Sequence, residues 1–168
     1  MATIIMKNIK LTVLLLLITT VTFAQESPRK EAKGTIGEVA VTIDYGAPSV
    51  KGRTIWGGLE KYGKVWRAGA NENTTITFDK EVKIGDTVVS AGKYGFFMIP
   101  NEHKNWTLIL TTKNDAWGAF SYNKDEDVLR INIAPKFVDE NREVLTYIVK
   151  EKGIKLAWGK LRIMMPVK

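Results

Sequence analysis

Between Trp66 and Asn73 the chain reads WRAGANEN, which sets an indole, a guanidinium, two carboxamides and a carboxylate side by side. Two kinds of chemistry suit such a set. Glu72 as a general base, with Arg67 stabilising developing negative charge, would serve a hydrolase or a lyase. Asp44 is the other acidic candidate, and a pair of carboxylates can hydrolyse a glycosidic bond without histidine. At the end of a strand before Pro48, Asp44 is equally suited to capping a turn. The second chemistry is recognition. Apolar planes with a few placed hydrogen-bonding groups line many small-ligand and sugar sites. Arg53, Trp56, Trp66, Arg67, Asn71, Glu72 and Asn73 lie within 21 positions and form that candidate set, with Tyr94, Trp117 and Tyr122 able to approach from other strands.

Each of these residues also has a purely structural reading. Arg67 and Glu72 can pair and lock the segment, since a buried charged pair is costly to break. Asn71 and Asn73 can satisfy backbone groups at a turn. Trp56 and Trp66 can plug one end of the fold. Whether Arg67 and Glu72 face each other or a ligand stays open on the residues alone.

Other chemistries are poorly served. Gly58–Lys64 matches the first seven positions of a phosphate-binding loop, but Val65 stands where a Ser or Thr must hold magnesium. Asn123–Asp127 opens like a calcium loop, yet Val128 and Ala134 occupy the positions that need Gly and Glu. With one histidine, His103, and no cysteine, a zinc site has no ligand set. Ser49, Ser90 and Ser121 have no base but His103 and no nucleophile elbow around them. No metal and no cofactor is therefore expected.

The elements that must position the candidates read as strands. Val39, Val41 and Ile43 alternate with polar neighbours, and so do Ile76 and Phe78, Trp106, Leu108 and Leu110, Leu129, Ile131 and Ile133, Leu145, Tyr147 and Val149, and Leu161, Ile163 and Met165. Tyr94–Ile99 is apolar on both faces, as expected of a strand whose outer face is covered. Thr54–Tyr62 has room for a helical turn at most. Eight or so short strands with frequent turns predict an all-β fold, an antiparallel β-sandwich or, alternatively, an open β-barrel. Residues 46–73 break the hairpin rhythm: they hold six of the 14 glycines and two of the five tryptophans. Long connections in compact domains are usually functional or disordered. So many large apolar side chains predict a structured loop, either functional or capping one end of the sandwich.

The N-terminus reads as an export signal. Lys7 and Lys10 precede an apolar run from Leu11 to Val21, and Thr22-Phe23-Ala24 supplies small residues for cleavage before Gln25. The run is too short to span a bilayer. Residues 1–24 are thus expected to be a signal peptide, 25–35 a flexible polar lead-in, and 36–168 a single domain. The product would be periplasmic or secreted, with no membrane insertion after cleavage and no disulfides to hold it. The formal charge of +7 comes without a concentrated basic stripe, so nucleic acid is not an expected partner.

The stretches APSVKGRTIWGGLEKYGKVWRAGANENTTITF, AGKYGFFMIP, NWTLIL and WGAFSY together resemble a family of exported proteins from Bacteroidetes-type bacteria, the domain of unknown function 2911. The resemblance runs from about Pro28 to near Met165, and its most specific block is Gly52–Asn73. Similar proteins often carry an acidic residue after the tryptophan of the last strand; here Gly159 follows Trp158, and position 159 takes no role. The resemblance implies an exported, single-domain, cofactor-free β protein and brings no catalytic residues with it. The leading expectation is a protein that binds a small polar ligand or saccharide in an end pocket. A carboxylate-dependent hydrolase or lyase, and an envelope-interaction protein without a small-molecule site, are the alternatives.

Overall fold

The computed structural model describes residues 26–168, and the expected signal peptide lies outside them. Ten strands follow in order: β1 (Arg29–Ile36), β2 (Val39–Gly46), β3 (Thr74–Phe78), β4 (Val82–Ile84), β5 (Thr87–Val89), β6 (Gly92–Ile99), β7 (Trp106–Thr111), β8 (Asp127–Ile133), β9 (Lys136–Lys150) and β10 (Gly153–Pro166). Six of them form one antiparallel sheet in the order β1-β2-β3-β6-β7-β8. The β9–β10 hairpin is the second layer, and β4–β5 is a small separate hairpin. The sheet does not close into a barrel; the architecture is the expected β-sandwich. No helix among the described residues is long and apolar enough to cross a membrane.

Period-two alternation sets the layers. Val41, Ile43, Ile76, Phe78, Phe96, Met98, Leu108 and Leu110 turn inward and meet Leu145, Tyr147, Leu156, Trp158, Leu161 and Ile163 of the hairpin in one core. The Tyr147 ring lies 4.7 Å from Tyr45, on the opposite layer. Phe97 and Ile109 point to the other face and are still fully buried. The segment after β7 covers them, with Tyr122 laid 5.5 Å from the Phe97 ring. This explains why β6 is apolar on both faces.

Two expectations need correction. Residues 29–36 belong to an edge strand of the main sheet, paired with β2 from Arg29↔Gly46 to Ile36↔Val39, and are not a flexible lead-in. Its inner face carries Ala32 and Gly34 because β9 crosses at close range; a Cβ on Gly34 would sit 2.7 Å from the Val149 Cβ. Strands so short of large apolar residues leave little alternation to read. The last two strands are also far longer than expected, at 15 and 14 residues. The exposed polar run Asp139–Glu143 hides the first half of β9 from a hydrophobicity reading.

The long loop between β2 and β3 is ordered and bridges the layers. Its start hydrogen-bonds to β9 through Val50 N–H to Glu143 O and Leu145 N–H to Pro48 O. Near its end, Trp66 and Met98 exchange two backbone hydrogen bonds of 2.7 and 2.8 Å, so the chain runs beside β6 in line with β3. In between, Trp56 and Trp66 enter the core. Trp56 lies 4.6 Å from Trp106, and Trp66 stacks on Trp158 at 5.7 Å.

Candidate functional site

The WRAGANEN turn is held from beneath before it offers anything to solvent. Ala68 and Asn71 both adopt left-handed backbone conformations, with φ of 53° and 63°. Such a conformation is unfavourable for alanine and persists only where its surroundings impose it. Here the Ala68 carbonyl accepts from the Thr74 hydroxyl at 2.9 Å and from the buried Tyr147 hydroxyl at 2.7 Å. The Trp66 Nε1–H donates to Gly69 O at 3.1 Å, and Ala70 N–H donates to Gly46 O. Gly46 has to be glycine, because a Cβ there would overlap the Ala70 carbonyl. Burial pushes the Tyr147 phenol well up, so it stays a proton donor to this turn.

The left-handed step at Asn71 turns Glu72 outward and lets Asn73 fold back. Asn73 is 1% exposed. Its Oδ1 accepts from Ala116 N–H at 3.0 Å, and its Nδ2 donates to Lys113 O. The segment after β7 is thereby moored to the turn. Glu72 and Trp117 form an antiparallel bridge, and residues opposite one another in such a bridge project to the same side. The Trp117 indole, 58% exposed, therefore stands on the side to which Glu72 points.

These elements enclose a cleft of about 730 Å³ lined by Glu26, Ser27, Pro28, Arg29, Asp44, Asn71, Glu72, Asn73, Lys93, Asn114 and Asp115. Arg29 is its central cation. The Nε donates to Asp44 Oδ1 at 2.6 Å, Nη1 to Glu72 O at 3.2 Å, and Nη2 to the carbonyls of Asp44 and Asn73 at 3.3 Å each. Nη1 also lies 3.6 Å from the Glu72 carboxylate. Among the described residues no group of His, Cys, Asp and Glu side chains has the arrangement of a metal site.

The candidates from the sequence are thus divided. Asp44, Asn71, Glu72 and Asn73 come together at the cleft. Trp66, 2% exposed, is packed inside the core and has no face to offer a ligand. Trp56 is half-buried against the same aromatic cluster and lines a separate hollow of about 350 Å³ with Arg53 and Tyr62. Tyr94 packs against the core and donates its hydroxyl to Ser90 O at 2.9 Å. Arg67 and Glu72 do not pair: the Glu72 carboxylate meets Arg29, while the charge of Arg67 acts on Glu60. Burial pushes the Glu60 carboxyl up, against the opposing pull of Arg67 and Arg53. The Arg67 Nε is buried with no hydrogen-bond partner among the described residues.

Sequence reasoning missed Arg29, Lys93, Asn114 and Asp115, and left Trp117 among residues that could merely approach. Arg29 sits in the stretch read as a lead-in. The available signal was its charge beside Pro28, ahead of a weak small-residue alternation at Ala32 and Gly34.

Comparison with curated proteins and with solved structures gives no match. The family described as a protein of unknown function, DUF2911, matches over residues 27–167, a span that takes in every strand and all but one of the residues lining the cleft. The chain belongs to the DUF2911 family.

Proposed function

We propose that the cleft between β1, the WRAGANEN turn and the segment after β7 binds a small polar ligand, with saccharides the class it suits best. The observation that carries this reading is a polar cleft of about 730 Å³ whose lining residue Glu72 is bridged through the backbone to Trp117, an exposed indole outside the lining itself. The volume is in the range of ordinary ligand sites, and an apolar ring face next to hydrogen-bonding groups is how sugars are commonly held. The stacking surface in this reading is Trp117, in place of Trp66 in the core and Trp56 at the separate hollow.

Binding is favoured over carboxylate catalysis by the place of Arg29. Its guanidinium bridges Asp44 and Glu72, occupying the space where a pair of catalytic carboxylates would need substrate and water. The envelope-contact reading needs a flat aromatic patch on the long loop, and Trp56 and Trp66 turn inward instead. The export signal read at residues 1–24 supports a periplasmic or secreted location, to be tested by N-terminal sequencing of the protein recovered from its producing cell.

The test for binding is an NMR titration of amide shifts with a panel of mono- and oligosaccharides, read alongside tryptophan emission. At least one member should move Asn71, Glu72, Asn114 and Asp115 together, and Trp117→Ala should remove the emission change. A panel that leaves these amides unmoved, or moves amides elsewhere only, defeats the proposal.

A further inference from the structure

The cleft has a one-sided hydrogen-bonding character. Several of its strongest donors are spent on the protein itself. Arg29 makes four hydrogen bonds to Asp44, Glu72 and Asn73, and its Nη1 also lies 3.6 Å from the Glu72 carboxylate. The Asn114 Nδ2 gives its two hydrogens to the carbonyls of Lys93 and Thr112, at 2.9 and 3.3 Å. The Asn71 Nδ2 donates to Ser27 O at 3.2 Å. Because each amide nitrogen faces a carbonyl, which can only accept, the orientation of these side chains is fixed. Their Oδ1 atoms remain for a ligand.

Charge follows the same pattern. Four carboxylates, Glu26, Asp44, Glu72 and Asp115, line the cleft against two cations, Arg29 and Lys93. Arg29 is consumed as described, and Asp115 is paired with Lys113 at 2.7 Å. Glu72 touches Arg29 only at 3.6 Å and its side chain is 55% exposed. Lys93 is the one lining residue left with a charged donor. So a chain with a formal charge of +7 lines this cleft with free carboxamide and carboxylate oxygens and an acidic excess. A ligand that brings donors meets these free oxygens, and a cationic one is matched electrostatically.

Resting on the saccharide reading of this cleft, we infer that its ligand class is the amino sugars, with Glu72 accepting from the protonated amine and the ring face on Trp117. The overall positive charge of the protein works against this choice at long range, so a preference for a cation has to come from the cleft itself.

The experiment compares three trisaccharides by NMR titration at pH 6: a β-1,4-linked glucosamine trimer, the same trimer fully N-acetylated, and trigalacturonate. The amine form should bind at the cleft about tenfold more tightly than the acetylated form, the worth of one charge-assisted hydrogen bond. Glu72→Gln should bring the two close to equality while leaving the amide spectrum folded. Equal binding of the acetylated and amine forms overturns the amino-sugar inference but leaves the saccharide reading standing. Tighter binding of trigalacturonate at the cleft, or an amine preference that survives in a Glu26→Gln/Glu72→Gln double variant, also overturns it. Failure of all three to move cleft amides overturns both readings.

Discussion

Arg29 and Asp44 are joined diagonally across the β1–β2 pair: Arg29 stands opposite Gly46, yet its Nε reaches forward to Asp44 Oδ1 at 2.6 Å. The same guanidinium continues to the carbonyls of Glu72 and Asn73, so one side chain on the edge strand ties together three segments of the cleft wall. Arg29→Ala should lower stability by about 1–3 kcal/mol in urea denaturation, a range discounted because the side chain is about one-third exposed. Arg29→Lys should recover only part of the loss, since an ammonium cannot fork to several acceptors at once. Full recovery with lysine would mean that charge alone matters at this position.

Asn73 is a structural residue of the site despite lining the cleft. It satisfies Ala116 N–H and Lys113 O from a position 1% exposed to solvent. Asn73→Ala leaves a buried donor and a buried acceptor unpaired and should cost about 2–4 kcal/mol. Hydrogen exchange should then accelerate over residues 112–118 more than in the β9–β10 hairpin. Uniform acceleration across both would show that the moorings are not local.

Where the side chains alternate and are large, the sequence was readable. β2, β3, β6 and β7 lie where Val, Ile, Phe and Leu recur every second residue, and the sandwich follows from them. β1 escaped because close packing of β9 requires small residues at Ala32 and Gly34, which carry no hydrophobic signal. The site was half readable for a related reason. Asn71, Glu72 and Asn73 stand out as a polar cluster in one stretch, whereas Arg29 reaches the cleft only through its pairing with β2, and Asn114 through a loop mooring between residues 40 and 43 positions apart. Trp66 misled because an indole beside an arginine looks the same in sequence whether it faces a ligand or Trp158.

The tryptophans should separate cleanly by experiment. Trp66 and Trp158 stack in the core, so Trp66→Ala should destabilise the protein by about 3–5 kcal/mol. Trp117→Ala removes a largely exposed side chain and should change stability by no more than about 0.5 kcal/mol. Thermal denaturation of the two variants decides the matter, and a comparable loss in both would place Trp117 in the packing of its segment.

Glu60 gives a pH signature. Its carboxyl is raised above the ordinary value of 4.5, first by burial, with Arg67 and Arg53 pulling the other way. A raised acid holds its proton more tightly in the folded state than in the unfolded one. The stability it contributes is therefore fully present below pH 4.5 and is lost as pH rises through the folded value. Glu60→Gln cannot ionise and escapes that loss, so its melting temperature relative to the parent should climb between about pH 4 and pH 7. Arg67→Leu removes the strongest opposing charge and should push the Glu60 window upward, steepening the parent-like decline. The reverse slope, with Glu60→Gln losing ground as pH rises, would mean that attraction to the two arginines outweighs burial at this carboxyl. Arg67 and Glu60 would then form the ion pair that locks the long loop.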